Sequence, residues 1–223
     1  MASRVNVVIP TKSNFSGLAE LLSDLSLDPA IGTICIVADG QAAFDALPDP
    51  PEHILTITVP EGVGIQHMWN RGIEAVGRDA HIAFLNDDVR LSPECLSSLA
   101  NSLDNDPIIG IICPNYSTVE MVEDRQVFNT CGSRYDGTGG LAGFAMMLRS
   151  DLAKVYSFDE KLTWWYGDDD VLLWVTKTMG LRAVIAHQAR CQHADSVTIR
   201  TDPPADFGRL VAEDREYFRA KWL

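Results

Sequence analysis

The chain has 223 residues, which is enough for one domain with a sizeable core and too few for two. Its composition, 46% hydrophobic and 22% charged, is typical of a globular protein in water. The net charge of −13 disfavours non-specific binding to nucleic acid or to an anionic membrane, although it leaves room for a small anionic ligand at one local site.

The apolar segments and the cysteines bear on where the protein works. No apolar stretch reaches the length of a membrane span, and the N-terminal MASRVNVVIP predicts a strand rather than a signal peptide. The five cysteines are scattered, without a close pair that would suggest zinc or a redox dithiol. We therefore expect a cytoplasmic protein with buried free thiols and no membrane span.

The first half of the chain alternates strand-like and helix-like segments. Short runs of β-branched and other apolar residues predict strands, and apolar residues at helical spacing predict helices. Ser16 is the expected N-cap of the first helix, and Ser92-Pro93 the expected start of a later one. In chain order the predicted elements are strand Arg4–Ile9, helix Ser16–Leu27, strand Thr33–Val37, strand Ile54–Val59, helix Gly64–Val76, strand His81–Leu85, the helix from Ser92 and strand Ile108–Cys113.

The second half is less regular. Residues 115–140 predict a hairpin, which runs into a glycine-rich segment at 136–143. The later predicted elements are a helix from Ser150, a helix over Asp168–Met179, a strand over Ala183–Ala186 and an amphipathic helix over 206–222. The expected fold is one α/β domain, with a mostly parallel central sheet covered by helices on both faces.

Polar residues follow three of the predicted strands. Thr11 and Asp39 come after the first and second strands, and Asn86-Asp87-Asp88 after the strand that ends at Leu85. Open parallel sheets bind ligands outside the carboxyl ends of their strands. The adjacent carboxylates of Asp87 and Asp88 repel each other, so that solvent, a partner or a cation must compensate them. The alternative is an ordinary solvated turn, because Asn and Asp are common turn residues.

A second acidic cluster, Asp168-Asp169-Asp170, and His193 lie later in the chain. Carboxylates with a histidine suit Mg²⁺ or Mn²⁺, which would bridge phosphate oxygens and stabilise a leaving diphosphate. A further carboxylate that faces the substrate could act as a general base. Plainer explanations stay open: the helix dipole favours acids in a first turn, and an isolated histidine is more often structural.

Six segments occur in the order found in one enzyme family. Together they resemble the glycosyltransferases of the large inverting family with the A-type (nucleotide-diphospho-sugar transferase) fold, over about residues 4–196. Each segment alone is a weak signal, whereas the ordered set is specific. The segments are VVIPTKSN, IVADG, GIQHMWNRGIEAV, FLNDDV, GGLAGFAMML and WWYGDDDVLLWVTKTMGL.

The resemblance implies a donor site. Thr11 and Asp39 match the positions that contact the nucleotide base and ribose, and Asn70 lies in the helix beside the nucleotide. Asn86-Asp87-Asp88 matches the family's Asp-x-Asp motif, with Asn86 and Asp87 against the ribose and diphosphate. The implied donor is a nucleotide-diphosphate sugar, most readily a UDP-sugar.

The metal and the base follow from the same resemblance. Asp88 matches the position that binds Mn²⁺ or Mg²⁺, and His193 resembles the late histidine that completes the metal shell. Asp168-Asp169 matches the Glu-Asp pair, whose second member, Asp169, is the expected base that deprotonates the acceptor hydroxyl. Two departures are that Asn86 replaces the usual first Asp and that Asp168 is one methylene shorter than the usual Glu.

The resemblance also implies an acceptor site. Gly139, Gly140 and Leu141 resemble the segment that faces the sugar and acceptor, where small residues let the backbone approach a ligand. Trp165 and Tyr166 could form a stacking platform for an acceptor sugar, with packing as the alternative.

The implied function is metal-dependent, inverting transfer of a sugar from a nucleotide-diphosphate donor to a hydroxyl-bearing acceptor. On this reading residues 1–113 form a nucleotide-binding half, 114–199 an acceptor and catalytic half, and 200–223 a C-terminal loop and helix of the same domain. The alternatives are a nucleotidyltransferase and a non-catalytic carbohydrate-binding or scaffold relative. PTKSNFSG, after the first strand, is poor in the glycine that a nucleotidyltransferase phosphate loop would have.

Overall fold

The structure is a computed structural model that describes residues 3–47, 54–118, 120–130, 140–194 and 200–223. Its strands are β1 (Val5–Thr11), β2 (Ile31–Asp39), β3 (Ile54–Val59), β4 (His81–Leu85), β5 (Val89–Leu91), β6 (Ile109–Asn115), β7 (Arg125–Val127), β8 (Ala145–Leu148) and β9 (Arg182–His193). Its helices are α1 (Phe15–Leu25), α2 (Gln41–Asp45), α3 (Ile65–Val76), α4 (Cys95–Asn105), α5 (Ser150–Ala153), α6 (Gly167–Leu173) and α7 (Phe207–Trp222), with a π-helical turn at Trp174–Thr178 after α6.

The strands form one sheet in the order β3-β2-β1-β4-β8-β6-β9-β5, and β7 pairs with β9 outside this path. The pairings among β3, β2, β1 and β4 are all parallel, as the alternating sequence predicts. The other half is mixed, because β8 lies antiparallel between β4 and β6. β6 ends at the carboxyl edge of the sheet and the chain returns at that same edge, so β8 has to run back in the opposite direction.

Two apolar cores cover the two faces of the sheet, which confirms the predicted α/β architecture. One core packs α1 and α4 against the inward residues of β1, β4 and β6. The other packs α3, α5 and α6 against the opposite residues of the same strands. Both faces of the central strands are therefore buried, which explains their continuous apolar sequences.

Two predicted helix starts are wrong in detail. The N-cap of α1 is Asn14 rather than Ser16, and the Asn14 side-chain oxygen accepts a hydrogen bond from the backbone N–H of Gly17. The helix α4 begins at Cys95 rather than at Ser92-Pro93. Glu94 has a left-handed backbone (φ 56°), so the preceding residues form a turn that Cys95 N closes on the Ser92 carbonyl.

Three later elements also differ from the sequence prediction. The helix predicted over Asp168–Met179 is α-helical only to Leu173 and continues as the π-helical turn. The strand predicted over Ala183–Ala186 is part of the longer β9. In the described part of 115–140 the strand β7 pairs with β9, while residues 119 and 131–139 of the predicted hairpin lie outside the described residues.

No helix within the described ranges is both long and apolar enough to cross a membrane.

Candidate active site

Thr11 and Asp87 meet at the carboxyl edge of the sheet, because β1 and β4 are neighbours there. The Thr11 hydroxyl donates to Asp87 Oδ2 at 2.7 Å. The Asn14 amide donates to the Asp87 carbonyl at 3.1 Å and lies 3.5 Å from Asp87 Oδ1. Thr11 therefore orients the Asp87 carboxylate directly, and Asn14 links that carboxylate to the start of α1.

Asp87 is buried, and its protonation reflects that position. The pKa of Asp87 is raised to about 6, chiefly by burial and also by the adjacent charge of Asp88, while the hydrogen bonds from Thr11 and Asn14 act in the opposite direction. Unlike the solvated turn considered from the sequence, this carboxylate lies inside the molecule.

Asp39 ends β2, next to Thr11 across the parallel β1–β2 pairing. Its Oδ1 accepts a hydrogen bond of 2.7 Å from Gly62 N, whereas its buried Oδ2 has no hydrogen-bond partner among the described residues. Burial raises the pKa of Asp39, which the Gly62 hydrogen bond and the charge of Lys12 oppose. A buried acceptor atom of this kind is suited to a ligand donor such as a hydroxyl or an amide N–H.

Asp88 and His193 come together through the pairing of β5 with β9. Val89 lies opposite His193 in that antiparallel pair, and Asp88 directly precedes Val89. As a result Asp88 Oδ1 lies 3.1 Å from His193 Nε2. The His193 ring stacks on Phe144, with ring centroids 4.0 Å apart and planes inclined by 6°. The structure thus holds a carboxylate oxygen and an imidazole nitrogen side by side in a fixed orientation.

Asn86 connects the same region to the strand β8. Its backbone N–H donates to the Phe144 carbonyl at 2.9 Å, which extends the β4–β8 ladder by one residue. Asn86 is half-buried beside the buried Asp87 and Asp88. The three residues of the motif therefore lie at the junction between the parallel and the mixed halves of the sheet.

The acidic cluster at the start of α6 divides into residues with different surroundings. Burial and the neighbouring charge of Asp169 raise the pKa of Asp168 to about 7. The Asp168 carboxylate packs on Gly143, where an added Cβ would lie 2.3 Å from Asp168 Oδ2. Asp169 Oδ1 accepts a hydrogen bond of 2.9 Å from the buried Thr130 hydroxyl.

Asp170, by contrast, serves the packing of the last helix. Its Oδ1 accepts a hydrogen bond of 2.7 Å from the Trp222 indole and lies 2.7 Å from Lys221 Nζ. Its Oδ2 accepts a hydrogen bond of 3.2 Å from the Tyr156 hydroxyl. Compensation of the helix dipole therefore does not account for all three acids of this turn, since Asp170 anchors α7.

The residues expected to face the acceptor lie in two places. Gly140 exchanges hydrogen bonds with the Tyr116 hydroxyl, and a Cβ at Gly140 would lie 2.3 Å from the Asn129 carbonyl. The Leu141 side chain is fully buried in the core that contains α3, so only its backbone remains available to a ligand. Gly139 lies outside the described residues.

Trp165 and Tyr166 contact α7. The Trp165 ring is 41% exposed and meets Phe207 edge-on, with centroids 5.8 Å apart. The Tyr166 ring stacks on Phe218, with centroids 5.1 Å apart. Of the predicted platform, Trp165 retains exposed ring surface, whereas Tyr166 takes part in packing.

Asn70 has a structural set of partners instead of an open position beside the nucleotide. Its amide nitrogen donates to the Phe158 carbonyl at 2.9 Å and to Glu160 Oε1 at 2.8 Å, and its oxygen accepts from Phe158 N at 2.9 Å. The amide thereby ties α3 to residues 158–160. Both atoms of the Asn70 amide are thus engaged within the protein.

Three site residues were not named from the sequence. Asn14 could have been found, because an Asn shortly before an apolar helical stripe is a capping signal. Thr130 gave no local signal, since its partner Asp169 is 39 residues away. Lys12 lies at the rim beside Asp39, with its ammonium 3.1 Å from Asp202 and 3.8 Å from Glu61.

The family model described as glycosyl transferase family 2 matches residues 6–155. The chain belongs to glycosyl transferase family 2. The match includes the Asn86-Asp87-Asp88 motif, whereas α6 and His193 lie beyond it. A search of the curated proteins finds no match.

Solved structures show the same fold in known glycosyltransferases. GalNAc-T7 with UDP, GalNAc and Mn²⁺ aligns with a TM-score of 0.67 at 12% identity, over 86% of this chain and 44% of that one. The mannosyltransferase PcManGT from Pyrobaculum calidifontis, in complex with GDP-Man and Mn²⁺, aligns with a TM-score of 0.60 at 17% identity, over 87% and 57%. S. aureus TarS 1–349 aligns with a TM-score of 0.58 at 12% identity, over 96% and 70%.

This family 2 chain thus has a GT-A fold, as the resemblance implied. It spans about half the length of the first two of these solved structures.

Proposed function

We propose that this family 2 chain transfers a sugar, with inversion, from a nucleotide-diphosphate donor to an acceptor hydroxyl, and that it needs a divalent cation. The observation that carries the proposal is the pair formed by Asp88 Oδ1 and His193 Nε2, 3.1 Å apart at the carboxyl edge of the sheet. A carboxylate oxygen and an imidazole nitrogen at this separation can both ligate one cation.

The donor set fits Mn²⁺ or Mg²⁺ bound together with substrate. No group of three or more ligating side chains is found in the part of the chain that the structure describes. Mg²⁺ and similar hard cations are commonly held by one or two carboxylates, with phosphate oxygens and waters as the remaining ligands. When bound, such a cation neutralises the charge that develops on the leaving diphosphate.

The nucleotide is expected to bind along the ends of β1, β2 and β4. Asp39 Oδ2 is a buried acceptor without a partner among the described residues, and it supports a contact with a ribose hydroxyl or a base N–H. Thr11 keeps Asp87 oriented at the adjoining position. We propose a UDP-sugar as the donor; the UDP in the GalNAc-T7 structure supports this choice, while the GDP-Man complex keeps GDP as a candidate.

Asp169 is the proposed general base. The Thr130 hydroxyl holds one of its oxygens, so the carboxylate is oriented before the acceptor arrives. It takes the proton of the acceptor hydroxyl while that oxygen attacks the anomeric carbon from the side opposite the diphosphate, which inverts the configuration. Because burial and the charge of Asp169 raise the pKa of Asp168 to about 7, part of the Asp168 population carries a proton at neutral pH, which reduces the negative charge beside the proposed base.

The acceptor is expected to bind on the Asp169 side of the donor. Gly140 and the backbone of Leu141 adjoin Thr130, and the exposed face of Trp165 lies a short distance along the chain before Asp169. These groups support a hydroxyl-bearing acceptor that packs a ring face on Trp165. The described cysteines are buried and no disulfide joins any two of them, which supports the cytoplasmic location expected from the sequence.

Calorimetric titration of UDP, GDP and dTDP, with Mn²⁺ and again with EDTA, tests the proposal. We expect one nucleotide to bind, and only with Mn²⁺. Asp88→Ala should abolish that binding with the fold intact, while Asp106→Ala, a half-exposed acid outside the site, should leave it unchanged. Absence of binding under every condition, or unchanged binding by Asp88→Ala, would refute the proposal. Release of pyrophosphate from a nucleoside triphosphate would instead favour a nucleotidyltransferase.

A further inference from the structure

The segment that leads into the proposed base has an unusual backbone. Tyr166 adopts a left-handed conformation (φ 64°) directly before α6, which is uncommon for a bulky residue. Its carbonyl accepts the Asp170 N–H at 2.8 Å, which closes the first turn of the helix. Backbone strain of this kind persists only where the surroundings hold it, so something must fix residues 163–166.

A carboxylate of α7 binds the backbone of residues 163–165. Asp214 is 2% exposed, and it accepts hydrogen bonds from three successive backbone N–H groups. The distances are 2.9 Å from Thr163, 2.8 Å from Trp164 and 2.9 Å from Trp165. One buried carboxylate therefore binds the backbone N–H groups of all three residues that precede Tyr166. Hydrogen bonds to an ionised acceptor are shorter and stronger than neutral ones.

The rest of α7 contacts the same segment further along. The Phe218 ring stacks on Tyr166, and Trp222 and Lys221 bind the Asp170 carboxylate. Asp214 and Phe218 are the buried residues of α7, so the apolar contact of this helix is small. An apolar contact has no preferred direction, whereas three hydrogen bonds to consecutive N–H groups fix one geometry.

We propose that Asp214 is a positioning residue for glycosyl transfer: through the N–H groups of residues 163–165 it sets where α6 begins, and thereby where the Asp169 carboxylate lies. This inference rests on the proposed function. Asp214 acts through the backbone, since the contacts of its carboxylate are with these three N–H groups. It lies outside residues 6–155, the range matched by the family model.

Two matched variants separate positioning from general stability. Asp214→Asn keeps the size of the side chain and removes its charge. Asp28→Asn makes the same change at another buried carboxylate, which accepts hydrogen bonds from Leu96 N and Ser97 N at the start of α4 and from Ala30 N. Both variants should lose thermal stability, because each leaves backbone donors against an amide that is a weaker acceptor. Asp28 lies outside the proposed site.

The measurements are Mn²⁺-dependent nucleotide binding, the rate at which nucleoside diphosphate is released from the donor with water as acceptor, and amide hydrogen exchange. For Asp214→Asn we expect kcat to fall by about 10- to 100-fold, with KM for the donor and the nucleotide affinity unchanged, because a small displacement of a reacting group has effects of this size. The amides of residues 163–165 should exchange faster. Asp28→Asn should keep the wild-type kcat and the wild-type exchange at 163–165.

An equal loss of kcat in both variants would overturn the inference, as would an Asp214→Asn protein with wild-type kcat. A wild-type protein that neither binds nucleotide nor releases it from a donor would instead refute the proposed function. In that case the exchange measurement decides alone: unchanged protection of residues 163–165 in Asp214→Asn would refute the role of Asp214, and its selective loss would support it.

Discussion

The hydrogen bond from Thr11 to Asp87 gives a prediction that needs no knowledge of the substrate. Thr11→Val keeps the shape of the side chain and removes the hydroxyl that donates to Asp87 Oδ2 at 2.7 Å. Both residues are buried, so water cannot replace the lost donor. Leaving a buried charged acceptor without its partner costs about 1–3 kcal/mol.

The neighbouring contacts place the expected cost in the lower part of that range. Asn14 Nδ2 lies 3.5 Å from Asp87 Oδ1 and can move closer when the Thr11 hydroxyl is gone. We therefore expect Thr11→Val to reduce the free energy of unfolding by about 1–2 kcal/mol, which lowers Tm by about 2–8 °C in a protein of this size.

A double-mutant cycle with Asp87→Asn isolates this interaction. Urea unfolding of the wild type, the two single variants and the double variant should give a coupling energy of about 1–2 kcal/mol between positions 11 and 87. A coupling energy of zero would refute the reasoning. The same four proteins show whether Thr11 contacts the nucleotide directly or acts only by orienting Asp87. If it acts only through Asp87, Thr11→Val should not change the nucleotide affinity of a protein that already carries Asp87→Asn.

Three further predictions concern the other parts of the site. Asp168 keeps its proton up to about pH 7 in the folded state, whereas the ordinary pKa of an aspartate is about 3.8, so this residue lowers stability as the pH rises between those values. Asp168→Asn should therefore raise Tm by about 2–6 °C at pH 8, and by less at pH 5, in calorimetric scans. Gly143→Ala should cost about 1–3 kcal/mol in urea unfolding, because its Cβ would overlap the Asp168 carboxylate, while Gly208→Ala, with open space around it, should cost nothing. Phe144→Ala removes the ring that orients His193 and should weaken Mn²⁺-dependent nucleotide binding about 10-fold, measured by calorimetry. An unchanged affinity would contradict this role of Phe144.

Much of the fold was predictable because the buried strands have apolar and β-branched sequences that can be recognised locally. The predicted bounds of β3 and β4 agree with the structure. β3 (ILTITV) is rich in β-branched residues and is followed by Pro60, and β4 (HIAFL) is a buried, largely apolar run that ends at Asn86. The prediction of a largely parallel sheet fits the half formed by β1 to β4. The antiparallel position of β8 depends on the edge at which the chain re-enters the sheet, and no local pattern reports that.

The site was predictable where the topology alone brings residues together. Thr11, Asp39 and Asp87 were grouped from the rule that parallel strands present their carboxyl ends at one edge, and the structure places all three there. His193 stood out beside the acidic clusters as a possible metal ligand, and the family resemblance assigned it to the metal shell. Its approach to Asp88 depends on the β5–β9 register, which no local pattern reports.

Other parts of the site depend on contacts that a local pattern does not report. The separate function of Asp170 within an acidic run could not be read from the sequence, since its partners Lys221 and Trp222 are about 50 residues away. The engaged amide of Asn70 and the burial of Leu141 likewise follow from long-range packing.

The continuous sheet restricts how this protein can exchange its ligands. β4 is hydrogen-bonded to β1 on one side and to β8 on the other, so the ladder runs without interruption beneath the donor and acceptor sides. Two lobes joined by a linker can release a product by hinge rotation, whereas rotation here would break backbone hydrogen bonds of the sheet. For the proposed transfer we therefore expect product release to rely on segments at the rim, such as the one whose Asp202 pairs with Lys12 beside Asp39. Variants that alter turnover without altering the chemical step should accordingly map to the rim rather than to the strands.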